Sequence, residues 1–122
     1  MAILAGQPAS AGDVLALLQP GVKTTFTTTT PAGSGWYCSL MGGLLTEFWF
    51  LSTSNVSAGT TATIDVTLPV GYRPADKTPL AAASSTTTKL AAAVVDSAGA
   101  VTVYNGHSSA AVVYIHGIYP NA

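Results

Sequence analysis

Charged side chains are scarce in this chain. Its 122 residues include four Lys+Arg and five Asp+Glu, 7% in all, for a formal net charge of −1. An ordinary soluble domain has about 25% charged residues. Nucleic-acid binding is therefore a poor interpretation, because phosphate recognition needs a basic patch that four scattered cations cannot form. A surface with so few charges is either coated with Thr and Ser or covered by partners, and we favour both.

Residues suited to catalysis or metal binding are also few. Cys38 is the only cysteine, which excludes an internal disulfide, and His107 and His116 are the only histidines. None of them shows metal-ligand spacing with the few carboxylates. The sequence has no Gly-x-Ser-x-Gly nucleophile motif and no evident carboxylate pair for glycoside hydrolysis. We predict a protein that is not an enzyme, with no catalytic residue, metal or cofactor.

Targeting and membrane segments are missing as well. Residues 1–12 lack the basic region and the long apolar run of a secretory signal. No stretch approaches the ~20 apolar residues of a membrane-spanning helix. The expectation is a chain that is made and used without membrane insertion and has no membrane partner.

Alternating β-sequence is what the chain does contain. The clearest example is residues 61–68, where Ala62, Ile64, Val66 and Leu68 share one face and polar residues the other. Similar short segments lie between residues 22 and 52 and between residues 89 and 118, separated by turns such as residues 31–35 and 96–99. The pattern predicts an all-β fold for residues 22–122, an antiparallel β-sandwich or jelly-roll-like domain.

Residues 1–21 are predicted to form an extended arm and one short helix. Ser10 begins a capping-box sequence, residues 11–18 supply an apolar helix face, and Pro20 and Gly21 end the helix. A helix this short is not stable alone. Leu15 and Leu18 are therefore candidate interface residues through which this segment docks on another protein.

The segment 44–52 carries large aromatic side chains on both faces, at Phe48, Trp49 and Phe50. One face of a strand in a single sandwich is wet, so these residues predict an oligomer interface. Glu47 shares the face of Trp49, where a carboxylate is costly unless it is paired or reaches solvent. If it is paired, the candidate partners are Arg73, Lys77 and Lys89.

Other aromatic residues offer a candidate glycan-binding platform. The residues considered are Trp36, Tyr37, Tyr104, Tyr114 and Tyr119. Trp36, Tyr104 and Tyr119, with the loop residue His107, are the candidate glycan contacts. The alternative is that these side chains fill the core or an interface, as aromatic residues commonly do.

Three segments of the chain resemble a known family. They are residues 64–74, which end in Leu-Pro-Val-Gly-Tyr-Arg-Pro, the hairpin 94–101 around Asp-Ser-Ala-Gly, and the aliphatic strand 112–119. Together they are similar to the C-terminal head domains of tailed-bacteriophage minor tail, tail-fibre and receptor-binding proteins. The opening residues 5–15 are similar to those of virion surface proteins from phages of actinobacteria. The resemblance implies a compact, non-catalytic β-sandwich that is usually trimeric and binds host-surface glycans or decorates the particle.

The resemblance leaves the position on the particle open. A small minor tail or receptor-binding-type subunit and a capsid decoration protein at threefold positions are both compatible with it. The expected partners are other copies of the chain, tail or major capsid protein contacted through the N-terminal arm, and host cell-wall glycan. A free carbohydrate-binding module is the third hypothesis. Tyr72 and Arg73 are either contact residues or, as we favour for Tyr72, a plug at a structural corner.

Overall fold

The computed structural model describes residues 21–84 and 91–122. This part of the chain contains eight β-strands and one 3-10 turn, Met41–Gly43, between the second and third strands. The strands are β1 (Thr24–Thr29), β2 (Ala32–Leu40), β3 (Leu45–Ser52), β4 (Thr61–Thr67), β5 (Thr78–Ser84), β6 (Ala91–Val95), β7 (Ala100–Asn105) and β8 (Val113–Pro120). The predicted arm and short helix, with Leu15 and Leu18, lie outside the described residues.

All strand pairs are antiparallel, and the strand order is β1-β2-β3-β8-β5-β6-β7-β4. Strand β5 belongs to two layers. Its first half, from Thr78 to Leu80, pairs with β6, and its second half, from Ala81 to Ser84, pairs with β8. The sheet therefore folds over at β5 into two facing layers, β1-β2-β3-β8-β5 and β5-β6-β7-β4. The all-β, sandwich-like fold expected from the sequence is confirmed.

The core lies between the two layers and follows the period-two pattern of the strands. In β3, Thr46, Phe48, Phe50 and Ser52 are buried while the alternate residues are partly exposed. Its largest buried apolar side chains come from strands of both layers and from the connection after β4: Tyr119, Phe48, Phe50, Ile64, Leu68 and Ile115. The packing of these side chains is what holds the two layers together.

Two local predictions are corrected. The turn predicted for residues 31–35 is shorter, because Ala32 already begins β2. Gly35 belongs to the strand, where a Cβ would lie 2.6 Å from the Phe26 ring, so glycine makes room for this aromatic side chain. Strand β5 was not predicted, because its Pro79 and three alanines carry no β-branched or aromatic signal.

Asp65 links the two edge strands of the sheet. Its carboxylate accepts hydrogen bonds from the Thr29 backbone N–H at 3.1 Å and from the Thr29 hydroxyl at 2.8 Å. These bonds join β4 to β1 and bring the open sheet close to a closed barrel. The backbone donor and then the hydroxyl of Thr29 favour the charged carboxylate, which lowers the pKa of Asp65.

A lowered folded-state pKa predicts a specific pH dependence. The stabilisation from Asp65 is present above the unfolded-state pKa, about 3.9, and is lost as the pH falls through the lower folded-state value. We expect the free energy of unfolding of the native protein to fall on acidification below about pH 4. Asp65→Asn should make the free energy of unfolding depend less steeply on pH, as measured by urea titrations across pH. Asp76→Asn, in an exposed turn, should leave this pH dependence unchanged. An unchanged slope in Asp65→Asn would contradict the assignment.

Leu80 and Gly117 fit together where β5 changes layers. A Cβ at Gly117 would lie 2.5 Å from the Leu80 side chain, so the missing side chain in β8 is filled by leucine from β5. Leu80 is buried in the core cluster. The close approach of β5 and β8 therefore depends on a small residue opposite a large one.

Gly117→Ala should lower the free energy of unfolding by about 1–3 kcal/mol, because an added methyl group overpacks this contact. The double variant with Leu80→Ala is the control. Removal of the leucine side chain opens space, so Gly117→Ala should cost clearly less in that background than in the native one. Additive losses in denaturant titrations would show that the two positions do not share this space.

Candidate interaction surfaces

The outer faces of the two layers have different chemistry. On the β4 and β7 layer the outward residues are mostly threonine, and this threonine face comprises Thr61, Thr63, Asp65, Thr67, Thr102 and Tyr104. On the other layer the outward residues of β2, β3 and β8 are mostly aromatic and aliphatic. This aromatic face comprises Trp36, Trp49, Leu51, Tyr114, His116 and Ile118.

The strand register arranges part of the aromatic face in a single row. Thr25 lies opposite Trp36, Trp36 opposite Trp49, and Trp49 opposite His116, which lies opposite Ala81. The rings of Trp36 and Trp49 stack with their centroids 6.3 Å apart and an angle of 15° between planes. The row crosses five strands, and its three middle residues, Trp36, Trp49 and His116, form a ridge of adjacent ring side chains.

Lys23 caps the β1 end of this ridge. Its Nζ atom lies 4.1 Å from the centroid of the Trp36 ring, the arrangement of a cation–π contact. One side of the tryptophan pair is therefore occupied within the subunit. On the other side of the pair, Trp49 is bordered by β8 and β5.

Glu47 pairs with His116 on the aromatic face. The carboxylate Oε2 lies 2.8 Å from the imidazole Nε2, and the two side chains are 23% and 51% exposed. The suggested partners Arg73 and Lys77 are not used, and Lys89 lies outside the described residues. The register explains this result, because Glu47 and His116 lie diagonally across the β3–β8 pair. The carboxylate is therefore both partly exposed and paired.

Cys38 lies on the other side of Glu47, with its Sγ atom 3.9 Å from the carboxylate Oε1. The thiol is fully buried. Burial, and after it the nearby charge of Glu47, raises the pKa of Cys38. A buried thiol with a raised pKa is a poor nucleophile. Cys38 is therefore not an activated thiol.

A notch of about 220 Å³ opens beside Trp49 on the aromatic face. The Trp49 ring lies on one side, the small side chains of Ala81 and Ala83 on the other, and Tyr114 and His116 also line the space. Its base is the backbone of β8 and β5. A broader groove of about 460 Å³ lies on the Trp36 side, between β1 and β2.

Two of the predicted interface residues lie in the core. Phe48 and Phe50 are 0% exposed, because they alternate with Trp49 along β3 and point between the layers. Their assignment to an interface is therefore wrong. Of the three aromatic residues in this segment, Trp49 is the one that reaches the outer face.

The glycan contact predicted at Tyr119 is also wrong. Its ring is 1% exposed, and its hydroxyl donates a hydrogen bond of 2.7 Å to the backbone carbonyl of Tyr72. Burial raises the pKa of Tyr119 well above its usual range. Tyr37 is likewise buried and packs edge-on against Tyr72, with ring centroids 4.9 Å apart. These tyrosines hold the layers together.

The remaining predicted glycan residues do not form one platform. Trp36 is on the aromatic face, Tyr104 is on the threonine face, and His107 is in the β7–β8 connection. The His107 ring there accepts a hydrogen bond of 2.8 Å from the Ser109 backbone N–H. Three residues on separate surfaces cannot hold one sugar ring. The sequence did not reveal the notch, because its formation depends on the β3–β8–β5 register.

Residues 68–74 form an internally bonded corner. Arg73 donates a hydrogen bond from Nε to the Leu68 carbonyl at 2.6 Å, and Gly71 has a φ of 99°, in the region that favours glycine. Tyr72 packs against the core cluster. The corner-plug interpretation of Tyr72 is thus confirmed, whereas an intersubunit role for Tyr72 and Arg73 stays a prediction.

One end of the sandwich exposes large apolar side chains. The C-terminal residues join the start of β3 to the corner at residues 68–74. The Asn121 N–H donates a hydrogen bond to the Leu44 carbonyl, and the Ala122 N–H donates one to the Arg73 carbonyl, both at 2.9 Å. Leu44 and Val70 are 65% and 83% exposed. Near the same end, the Gly21 N–H donates a 2.7 Å hydrogen bond to the carbonyl of Ser39 in β2. We call this surface the apolar end; its members are Val22, Met41, Leu44 and Val70.

The fold and these surfaces define a class: an all-β sandwich with a threonine face, an aromatic face and an apolar end. Within residues 21–84 and 91–122, no three His, Cys, Asp or Glu side chains form a metal-binding group. The same residues contain no helix long and apolar enough to cross a membrane. Comparison with protein-family models and with curated proteins finds no match for the chain.

Tyr119→Phe provides a test of the buried tyrosine contact. The variant leaves the Tyr72 carbonyl without its donor in a partly buried site, so we expect a loss of about 1–3 kcal/mol in the free energy of unfolding. Tyr104→Phe on the threonine face is the matched control and should change stability by less than about 0.5 kcal/mol. Equal effects in denaturant titrations would contradict the assigned hydrogen bond.

Proposed function

We propose that this chain is a non-enzymatic structural protein of a bacteriophage virion, exposed on the particle surface as a small minor tail or receptor-binding-type subunit. The observation that carries the proposal is the meeting of the three segments that resemble phage head domains. The Leu68 N–H bonds the Gly99 carbonyl at 3.0 Å, which joins the corner to the hairpin. The Tyr119 hydroxyl bonds the Tyr72 carbonyl, which joins the corner to β8.

Close packing supports the same reading of these segments. A Cβ at Gly99 would lie 2.5 Å from the Leu68 carbonyl oxygen and 2.9 Å from the Arg73 Nε atom. The arginine of the corner can therefore pack against the hairpin only because position 99 has no side chain. The three segments that carry the resemblance therefore form one bonded unit.

A non-catalytic role agrees with the chemistry of the surfaces. The thiol of Cys38 is buried, and the Glu47 carboxylate is held by a 2.8 Å contact with His116. A threonine-coated face supplies solubility with few charges. Such a surface suits a subunit packed closely with copies of itself and with other virion proteins.

We propose that attachment uses the apolar end. Its side chains are exposed in the isolated chain, and Gly21 is hydrogen-bonded to the Ser39 carbonyl near the same end. Exposed large apolar residues next to one another mark a protein contact surface. The expected contacts are neighbouring copies in a homotrimer and the tail or capsid protein that carries the subunit.

The direct test of this proposal is location. Gold-labelled antibody against the chain should bind purified particles, with label confined to the tail. Label on the capsid faces would replace the tail assignment with a capsid decoration role. Absence of the chain from purified particles, by mass spectrometry of the virion, would overturn the proposal.

A paired charge substitution tests the apolar end. Leu44→Glu with Val70→Glu should give a folded monomer, because burying two carboxylates in a subunit contact is costly. Sedimentation velocity should show the native chain as an oligomer and the variant as a monomer. The matched control, Thr61→Glu with Thr63→Glu on the threonine face, should sediment as the native chain does. A monomeric native chain at micromolar concentration would contradict self-association.

A further inference from the structure

We propose that the notch beside Trp49 binds one residue of a neutral glycan, with the sugar ring over β8 in contact with Trp49, Tyr114 and His116. This inference deepens the proposed function and rests on it in one respect: the aromatic face must stay exposed in the assembled subunit. The chemistry of the notch itself comes from Trp49, Tyr114 and His116, with Ala81 and Ala83 leaving the space.

The lining combines apolar walls with polar groups. Trp49 and the alanines offer apolar surface, and Tyr114 and His116 supply a phenol and an imidazole. A pyranose has the matching character, because its C–H face is apolar and its hydroxyls lie around the rim. An apolar side chain of a protein partner would leave the polar groups of the notch without hydrogen-bond partners, which is unfavourable on burial.

Glu47 prepares His116 for a hydroxyl group. A carboxylate only accepts hydrogen bonds, so the Nε2 atom at 2.8 Å carries the proton and donates it. The Nδ1 atom is then an acceptor if the ring is neutral and a donor if it is protonated, and a hydroxyl group can bond either. The imidazole is also held in a fixed orientation by this bond, so a sugar hydroxyl meets an ordered partner. The His116 side chain is 51% exposed and reachable from solvent.

The charge and size of the site narrow the ligand class. Among the described residues no Lys or Arg side chain lines the notch, Lys23 is beyond the tryptophan pair, and Glu47 disfavours an acidic sugar. A volume of about 220 Å³ is below the roughly 300 Å³ at which pockets begin to enclose a drug-sized ligand. The site therefore holds one neutral residue, and further residues of a longer glycan can lie along the ridge toward Trp36.

Ligand-observed NMR of the full chain tests the inference. The probes are the methyl glycosides of glucose, galactose, mannose and rhamnose, followed by oligosaccharides of any that bind. We expect saturation transfer to at least one neutral probe and none to methyl glucuronide. Trp49→Ala should weaken binding about tenfold or more, the effect of about 1.4 kcal/mol of lost contact energy.

Ala83→Leu is the sharper variant, because it fills the notch and keeps every contact group. It should abolish binding, while Tyr104→Ala, an exposed aromatic on the threonine face, should leave it unchanged. Circular dichroism confirms that each variant is folded. His116→Gln should retain weaker binding, since the amide can still bond a hydroxyl, whereas His116→Leu should lose it.

Three results would overturn the inference. One is no saturation transfer to any neutral probe, and another is binding that survives Ala83→Leu. The third is an oligomer that dissociates on Trp49→Ala, which would assign the aromatic face to a second copy of the chain. Since none of these results depends on where the chain lies in a particle, they leave the location test of the proposed function separate.

Discussion

The transfer of β5 from one layer to the other is the constraint on which the rest of the structure depends. At Leu80–Ala81 the strand leaves β6 and begins to pair with β8, so one strand joins the two layers. Leu80 fills the space above Gly117 at this point and fixes the approach of β8. The same switch turns Ala81 and Ala83 outward beside Trp49. The close packing in the core and the notch on the surface therefore both depend on the change of β5 from pairing with β6 to pairing with β8.

The faces of the sandwich divide its tasks. The inner faces hold the large apolar side chains, and Asp65 fastens the open edges from outside through Thr29. The threonine face presents short hydroxyl side chains to solvent. The aromatic face and the apolar end are left as the surfaces where apolar groups meet water. We propose that this separation keeps the threonine face in contact with water and leaves the other two surfaces for partners.

The sequence predicted those features that depend on local pattern. Alternation located most strands, and Asp96 with Gly99 correctly indicated the hairpin between β6 and β7, where the Gly99 N–H bonds the Asp96 carbonyl at 3.0 Å. Period two also put Glu47 and Trp49 on one face. Local pattern could not tell which face of the strand points into the core. Phe48 and Phe50 were therefore assigned to an interface although they fill the core.

Features that depend on register were beyond the sequence. The pairing of Glu47 with His116 joins positions 69 residues apart, and the notch needs β3, β8 and β5 in their observed alignment. Tyr119 shows the same limit, since an aromatic residue near a terminus can be buried or exposed with an identical local sequence. The corner at residues 68–74 was recognised from its prolines, glycine and arginine because its conformation is set locally.

We propose that the aromatic face is open on an assembled particle while the apolar end is covered. Hydroxyl-radical footprinting of intact purified particles, compared with the isolated chain, measures both surfaces at once. We expect Trp49 and Tyr114 to be oxidised as readily on the particle as in the isolated chain, whereas Met41 and Leu44 become protected. Protection of Trp49 and Tyr114 with continued oxidation of Met41 and Leu44 would contradict it.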